Sequence, residues 1–504
     1  MTGPWDVIVI GTGIGGGTVG RQLAEAGLRV LFVEKGQADA RSARNGLSDS
    51  FVPEARAIRG LWPEPLQVTV DGTEQRFYAP RGAGVGGSSV FYAATLERPE
   101  RHDLEEVPDR AHPTGGWPVG FDGFAPYFAR AAQMYRVYGT PDPLSPEVPL
   151  PLRDPPAPSA VETALMDGLR ARGLHPYHAH TAVERLDGCA MCLGHKCPRA
   201  CKMDGRSAGV EPALATGRAA LITGAEVTRI LSDGPEVTGV ELRHQGAVHH
   251  LQAKHYVLAA GALASPVLLL QSACTAWPKG LANGSGLVGR NLMFHLNEMF
   301  ALWPGVDGPA TKAVSLRDLY HRDGQRLGTV QAMGIRASYG EIVFYLNRML
   351  SARGLDRLHP FSRLPAAIAA RMLGSAQLFV GLMEDLPYAD NRVQQDGSVV
   401  YHISDELRQR RRAFRRAIRR SFPRKRMMLG VQPELNWGHP CGTLRFGTDP
   451  AQSVLIPQGR AHGLRNLWVS DASFMPTSMG VNPSLTIAAQ ALRVADAMEQ
   501  NLCG

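Results

Sequence analysis

Val7-Ile8-Val9-Ile10-Gly11-Thr12-Gly13-Ile14-Gly15-Gly16-Gly17 passes from a β-branched apolar run straight into a cluster of glycines. The run reads as a buried parallel strand. The glycines permit a tight turn and close approach of backbone to a pyrophosphate, whose charge faces helix N–H groups. A helix-like segment follows from Thr18 to Ala26, then a second strand, Arg29-Val30-Leu31-Phe32-Val33, ending at Glu34. Glu34 stands 23 residues after Gly11, where an acid can bind the adenosine ribose hydroxyls. Strand, turn, helix, strand and acid together predict a dinucleotide site, with Gly11, Gly13, Gly16 and Glu34 against the ligand. This pattern alone does not separate NAD from FAD.

The remainder of the 504 residues has an ordinary globular composition, 44% apolar and 20% charged, which allows two or three domains. No run of 18 apolar residues is present, and the most apolar stretch, Leu364 to Leu386, is interrupted by Arg371, Gly374 and Glu384. No basic segment or apolar h-region precedes the strand at Asp6, so the expected location is cytoplasmic. The net charge of +8 is concentrated between Arg408 and Arg426. Leu407, Phe414, Ile418 and Phe422 recur there at helical spacing, which predicts an amphipathic basic helix ending near Pro423. Such a helix is either a solvated face or a contact for an anionic membrane or acidic partner. No nucleic-acid-binding motif accompanies it.

A second glycine loop, Gly82-Ala83-Gly84-Val85-Gly86-Gly87-Ser88-Ser89, is followed at once by Val90-Phe91-Tyr92. Its backbone amides suit another part of a long cofactor, with Gly86, Gly87 and Ser88 as candidate contacts. Tyr256 to Gly261 reads as a further buried strand, turning into an apolar helix at Ser265-Pro266. With GALASPVLLLQSA (261–273), GLVGRNL (286–292), DNRV (390–393), HPCGTLRFGTDP (439–450) and SDASFMPTSMGVNPSLTI (470–487), these pieces form an ordered series. In that series the sequence resembles the glucose–methanol–choline (GMC) oxidoreductases along nearly its whole length.

The resemblance implies an α/β fold: a Rossmann-like FAD-binding domain built from discontinuous segments, plus an α+β substrate-binding domain. On this plan residues 1–100, 200–300 and 435–504 hold FAD, and 101–199 and 301–434 form the substrate side. It further implies that Val227 contacts the adenine, that Asp471 lies near the ribityl–pyrophosphate stretch, and that His439 and Asn482 are the catalytic pair, Asn482 also meeting the cofactor. The residue types suit alcohol oxidation. A neutral imidazole accepts the hydroxyl proton, and an amide holds the same oxygen as charge develops. Asn482-Pro483 also predicts an N-cap and first helical residue for a helix from Ser484 to Met498, its positive end toward the site. Two departures from the family pattern are Ala273, where a glycine is usual, and Tyr92, near the position of a usual asparagine.

Cys189, Cys192, Cys197 and Cys201 are spaced C-x2-C-x4-C-x3-C. Without a secretory signal, such clustering points to iron–sulfur, zinc or redox chemistry. Some dehydrogenases of the resembled family bind a three-iron, four-sulfur cluster here and pass electrons to an external acceptor. That implies a protein or quinone acceptor rather than oxygen, and a sugar, glycoside or other alcohol as substrate. Cys274, Cys441 and Cys503 are isolated. The Pro-rich stretch 141–158 reads as a linker, and 342–371 as short amphipathic helices at the substrate entrance or facing a membrane. Three functions stay open on sequence: an alcohol or sugar dehydrogenase or oxidase, a flavin enzyme of other chemistry on the same fold, and a flavin-bearing electron carrier.

Overall fold

The computed structural model describes residues 4–38, 52–189, 193–199, 201–335, 337–351, 353–430 and 432–503. Strands β1 (Trp5–Ile10), β2 (Val30–Val33), β3 (Ala219–Ile222) and β4 (Ala253–Leu258) join strand Leu467–Val469 in a five-stranded parallel sheet. The order across it is 467–469, β4, β1, β2, β3, with Val7 paired to both Val30 and His255. Val7 to Ile10 and Val30 to Val33 are buried throughout, as a parallel sheet covered on both faces requires.

Helix α1 (Ile14–Glu25) starts four residues before the expected Thr18. The glycines are therefore the first turns of the helix rather than a loop before it. Their missing side chains let α1 lie directly on neighbouring backbone. A Cβ on Gly15 would sit 1.6 Å from the carbonyl oxygen of Ser470, and one on Gly17 2.4 Å from that of Gly205. Gly13 is the N-cap and supplies no side-chain hydrogen bond, so the first N–H groups of α1 stay available.

The second domain is built on a seven-stranded antiparallel sheet. Its principal strands are β5 (His295–Leu302), β6 (Thr329–Ala332), β7 (Gln377–Glu384) and β8 (Arg426–Met428). β5 and β7 pair from His295↔Glu384 to Leu302↔Gln377. Strand alternation divides their side chains. Leu296, Phe300, Phe379 and Met383 enter a core shared with Phe414, Ile418 and Phe422, while Asn297, Met299, Leu378, Val380 and Leu382 face a cavity. Helices α2 (Tyr339–Ser351) and α3 (Arg363–Leu373) lie on the cavity side. The basic segment is helix α4 (Asp405–Ser421), packed on the opposite face.

Several arginines of α4 are used inside the molecule. Arg410 pairs with Glu406, and Arg411 and Arg415 both grip Glu298, at 2.8 and 2.7 Å. The Glu298 side chain is fully buried, and its desolvation raises its pKa against the pull of the two guanidiniums. Removing one partner of a buried pair leaves charge without compensation. Glu298→Gln is expected to cost about 3 kcal/mol, read as a lowered urea midpoint; a loss below about 0.5 kcal/mol, the range of a surface change, would contradict this.

The fold class is thus the expected one, a Rossmann-like α/β domain beside an α+β domain. The stretch 141–158 carries no helix or strand, and 342–371 forms helices, both as expected. No helix among the described residues is long and apolar enough to cross a membrane.

Candidate active site

The two domains enclose a cavity of about 1350 Å³, larger than a pocket for one small ligand. One arm runs along the ends of the parallel strands. It is lined by Gly11, Gly13, Gly15 and Glu34 from the first βαβ unit, Gly87 and Ser88 from the second glycine loop, and Val227 and Asp471. Gly16 and Gly86 do not line it; they serve packing. A Cβ on Gly16 would meet the Gly11 carbonyl oxygen at 2.1 Å, and Gly86 turns the chain at φ +95° against Val90.

Glu34 closes the end of β2. Its Oε2 accepts from the Thr12 hydroxyl at 2.6 Å and the Thr12 N–H at 3.1 Å, and its Oε1 from the Gly36 N–H. Burial raises its pKa although these donors favour the carboxylate. Asp471 ties the sheet end together: Oδ2 accepts from Gly261 N–H and the Ser265 hydroxyl, and Oδ1 from Ser473. Lys35, paired with Glu226, and Arg81 each lie 4.0 Å from the Trp62 ring on the same wall, and put cations beside this arm. Side-chain-free backbone, exposed helix N–H groups and cations are what a dinucleotide needs, and these residues fit FAD.

Where this arm meets the second sheet, His439 and Asn482 line one cavity. His439 follows the turn at Asn436, whose carbonyl accepts the His439 N–H at 2.9 Å. Its Nδ1 lies 3.2 Å from Nδ1 of His295, at the start of β5. Burial, then the neighbouring His295, hold the His439 pKa well below its ordinary range. Burial also lowers His295, to about 4. Both rings are neutral at neutral pH.

Asn482 does not cap the helix that follows. That helix is α5 (Ser484–Cys503), and the carbonyl of Pro483 accepts its first bond, from Ile487 at 2.9 Å. The side-chain oxygen expected to cap accepts instead from Gln331 Nε2 at 2.6 Å. Gln331 is buried on β6 and reaches across from the second sheet. With Oδ1 engaged, the amide NH₂ of Asn482 is the group left to meet a ligand oxygen. His295, Gln331 and Asn436 were not anticipated from the sequence.

The cysteine segment is only partly assembled. Cys197 and Cys201 bring their sulfurs to 3.2 Å. Burial opposes it, but hydrogen bonds from Cys201 and backbone N–H groups lower the Cys197 pKa; burial and that neighbour push Cys201 up to about 12. Cys189 is half-buried, and Cys192 lies outside the described residues. Among the described residues no three His, Cys, Asp or Glu side chains are placed to hold a metal ion. Among the described residues, the two adjacent thiols fall short of the three donors of a 3Fe–4S cluster and of the four of a zinc site. The segment does reach the cavity: Leu193 and Gly194 line it, and the Gly194 N–H bonds the Phe91 carbonyl.

Against known proteins, a family model described as GMC oxidoreductase matches residues 6–297, and a second of that description, for the C-terminal part, matches 325–491. Paromamine 6'-oxidase of Streptomyces fradiae is 29% identical, with 99% of this chain and 92% of the relative covered. The 2-methyl-1,2-propanediol dehydrogenase of Mycolicibacterium austroafricanum is 28% identical, with 97% and 94% covered. Among solved structures, pyridoxine 4-oxidase from Mesorbium loti superposes with a TM-score of 0.64 at 19% identity, covering 98% of this chain and 99% of its own.

Proposed function

Because the chain belongs to the GMC oxidoreductase family, whose members bind FAD, we propose that it oxidises a CH–OH group, His439 taking the hydroxyl proton and Asn482 holding the same oxygen. The observation that carries this reading is the orientation of each member of the pair by a buried neighbour. FAD, when bound, supplies the acceptor for the hydride leaving the carbon.

The protein's part begins with tautomers. Nε2 of His295, the nitrogen turned away from His439, is buried and makes no hydrogen bond of its own, while the carbonyls of Met479, Val481 and Ser478 favour a proton on the ring. Carbonyls accept only, so they favour the proton of His295 on Nε2 and leave its Nδ1 as an acceptor. His439 then donates its Nδ1–H to His295, and its own Nε2 keeps a lone pair for the substrate proton. Asn436 Nδ2, 3.3 Å from His439 Nδ1, is then a packing neighbour rather than a donor. Gln331 fixes Asn482 with its NH₂ outward, which steadies the oxygen as its proton departs.

Relatives of the chain carry the names of both oxidases and dehydrogenases. We favour an acceptor other than oxygen, a protein or quinone, because a cysteine-bearing segment reaches the cavity through Leu193 and Gly194. Anaerobic mixing of the FAD-loaded protein with alcohols tests the reading: the flavin bands bleach. Bands that persist with every alcohol, beside net isomerisation or elimination, overturn it. Reoxidation by air as fast as by a quinone dye overturns the choice of acceptor. Because His439 is held neutral, the bleaching rate constant is expected to stay level from about pH 8 down to about pH 6. A fall with a midpoint near ~6.5, the ordinary histidine value, would mean that burial does not control this base.

A further inference from the structure

Toward α2 and α3 the substrate side of the cavity is largely apolar. Met299, Ile335, Phe344, Leu378, Leu382 and Leu429 face it, from strands, loops and α2. Glu341, also on this wall, has its pKa raised by burial alone, as expected where little polar company is offered. Of this arm's polar side chains, Gln331 and Asn436 are engaged at Asn482 and His439, with Asn297 and Glu434 paired on neighbouring strands, so the wall toward α2 and α3 suits a ligand with one polar end and an apolar body.

Helices α2 and α3 wall this arm. Ala369 and Leu373 of α3 line the cavity, and Ala366 and Leu373 are buried. The opposite face of α3 carries larger apolar side chains, turned outward. Phe361, just before it, is 73% exposed, Leu364 72%, Ile368 55% and Met372 63%. Spaced by three, four and four residues, they form one stripe. Around the stripe stand Arg353, Arg357, Arg363 and Arg371, all exposed, with Asp356 the one exposed acid in 353–374. Arg357, Arg363 and Arg371 make no ion pair with a described residue. The arginines of α4 lie on the other side of the sheet and take no part.

We propose that this stripe docks on an anionic lipid bilayer, and that the alcohol entering beneath it has a hydrocarbon body drawn from that bilayer. Charge decides the occupant. An apolar ridge rimmed by unpaired arginines matches hydrocarbon below a layer of anionic headgroups, where each arginine adds attraction and each buried side chain adds transfer free energy. The same helix faces lipid on one side and the cavity on the other, so a long alcohol passes from one apolar medium to another without crossing water. The docking half stands by itself; the substrate half rests on the chain being an alcohol oxidoreductase.

The test is flotation of the FAD-loaded full-length protein with two kinds of vesicle, phosphatidylcholine alone and phosphatidylcholine mixed with phosphatidylglycerol. The wild type is expected to float with the mixed vesicles. Leu364→Ser with Ile368→Ser is expected to reduce that partition by on the order of tenfold or more. Arg363→Gln with Arg371→Gln is expected to reduce binding to the anionic vesicles only, by on the order of tenfold. All four positions are exposed, so unchanged melting temperatures should accompany these losses. Equal flotation of wild type and both variants, or none by the wild type, overturns the docking. A concentration-dependent dimer that the serine variant abolishes, without flotation, would assign the stripe to a second copy of the chain. Separately, hexadecanol in the vesicles should bleach the flavin and glucose should not. Flotation with bleaching by glucose alone overturns the substrate half and leaves the docking intact, whereas flotation without bleaching by any alcohol removes the oxidoreductase reading itself.

Discussion

His439→Ala is expected to slow bleaching of the flavin by an alcohol by on the order of 10²–10⁴-fold, with FAD still bound. The size follows from the role: without a base, the hydroxyl oxygen must lose its proton to water while the carbon it is bonded to loses hydride. Retention of FAD follows from position, since His439 stands where the two arms meet and not among the glycines that cradle the dinucleotide. Stopped-flow absorbance gives the rate, and the protein-bound flavin spectrum gives the occupancy. His295→Ala should mimic part of the loss through the freed tautomer of His439, whereas His295→Asn, which keeps an acceptor near Nδ1, should recover some of it. A His439→Ala protein that bleaches at the wild-type rate would end the assignment.

Gly15→Ala is expected to be strongly destabilising. In an open helix the change would stabilise by about 1 kcal/mol, because alanine is the better helix former. Here the new Cβ would stand 1.6 Å from the Ser470 carbonyl oxygen, far inside contact distance, and the obstacle is backbone. Either α1 or the segment following strand Leu467–Val469 must move. Both are buried, and a close-packed interior absorbs such shifts poorly, so a loss on the order of 3 kcal/mol is expected in place of the gain. Gly13→Ala separates packing from binding. At Gly13 a Cβ meets nothing within 4 Å and φ is an ordinary −61°, but the residue lines the cavity. That variant should melt like the wild type and purify with less FAD, while Gly15→Ala should lose both. Thermal melts and flavin content decide; equal melting temperatures for the two variants would refute the packing argument.

Much of this was legible in the sequence because it is local. Val7 to Glu34 encodes strand, turn, helix and acid in one continuous stretch, and the apolar spacing of Leu407, Phe414 and Ile418 announces α4. What sequence missed is the company residues keep across the fold. His295 sits in a strand whose alternation marks nothing unusual, yet pairing brings it to His439, 144 positions on. Gln331 is a polar residue in a short strand until the two domains close on it and place it at Asn482. The expected cap at Asn482 failed for the same reason: local propensity offered its oxygen to the helix, and a tertiary partner took it. The start of α1 was misplaced because glycine is a poor helix former in isolation, while here its absent side chain is what allows the helix to touch its neighbours.

The parallel sheet also sets a schedule for the chain's birth. Trp5 pairs with Ala253, and Tyr256 pairs with Leu467. Its first strand, made early on the ribosome, finds β2 at once but waits for its other neighbour until almost half the chain has followed, and that neighbour waits again for nearly the last strand. Such distant closures are slow and leave apolar edges uncovered meanwhile. The nascent chain should therefore lean on chaperones until residue 469 has emerged, and a stalled or shortened product ending before that strand should be degraded or aggregate rather than persist as a stable half.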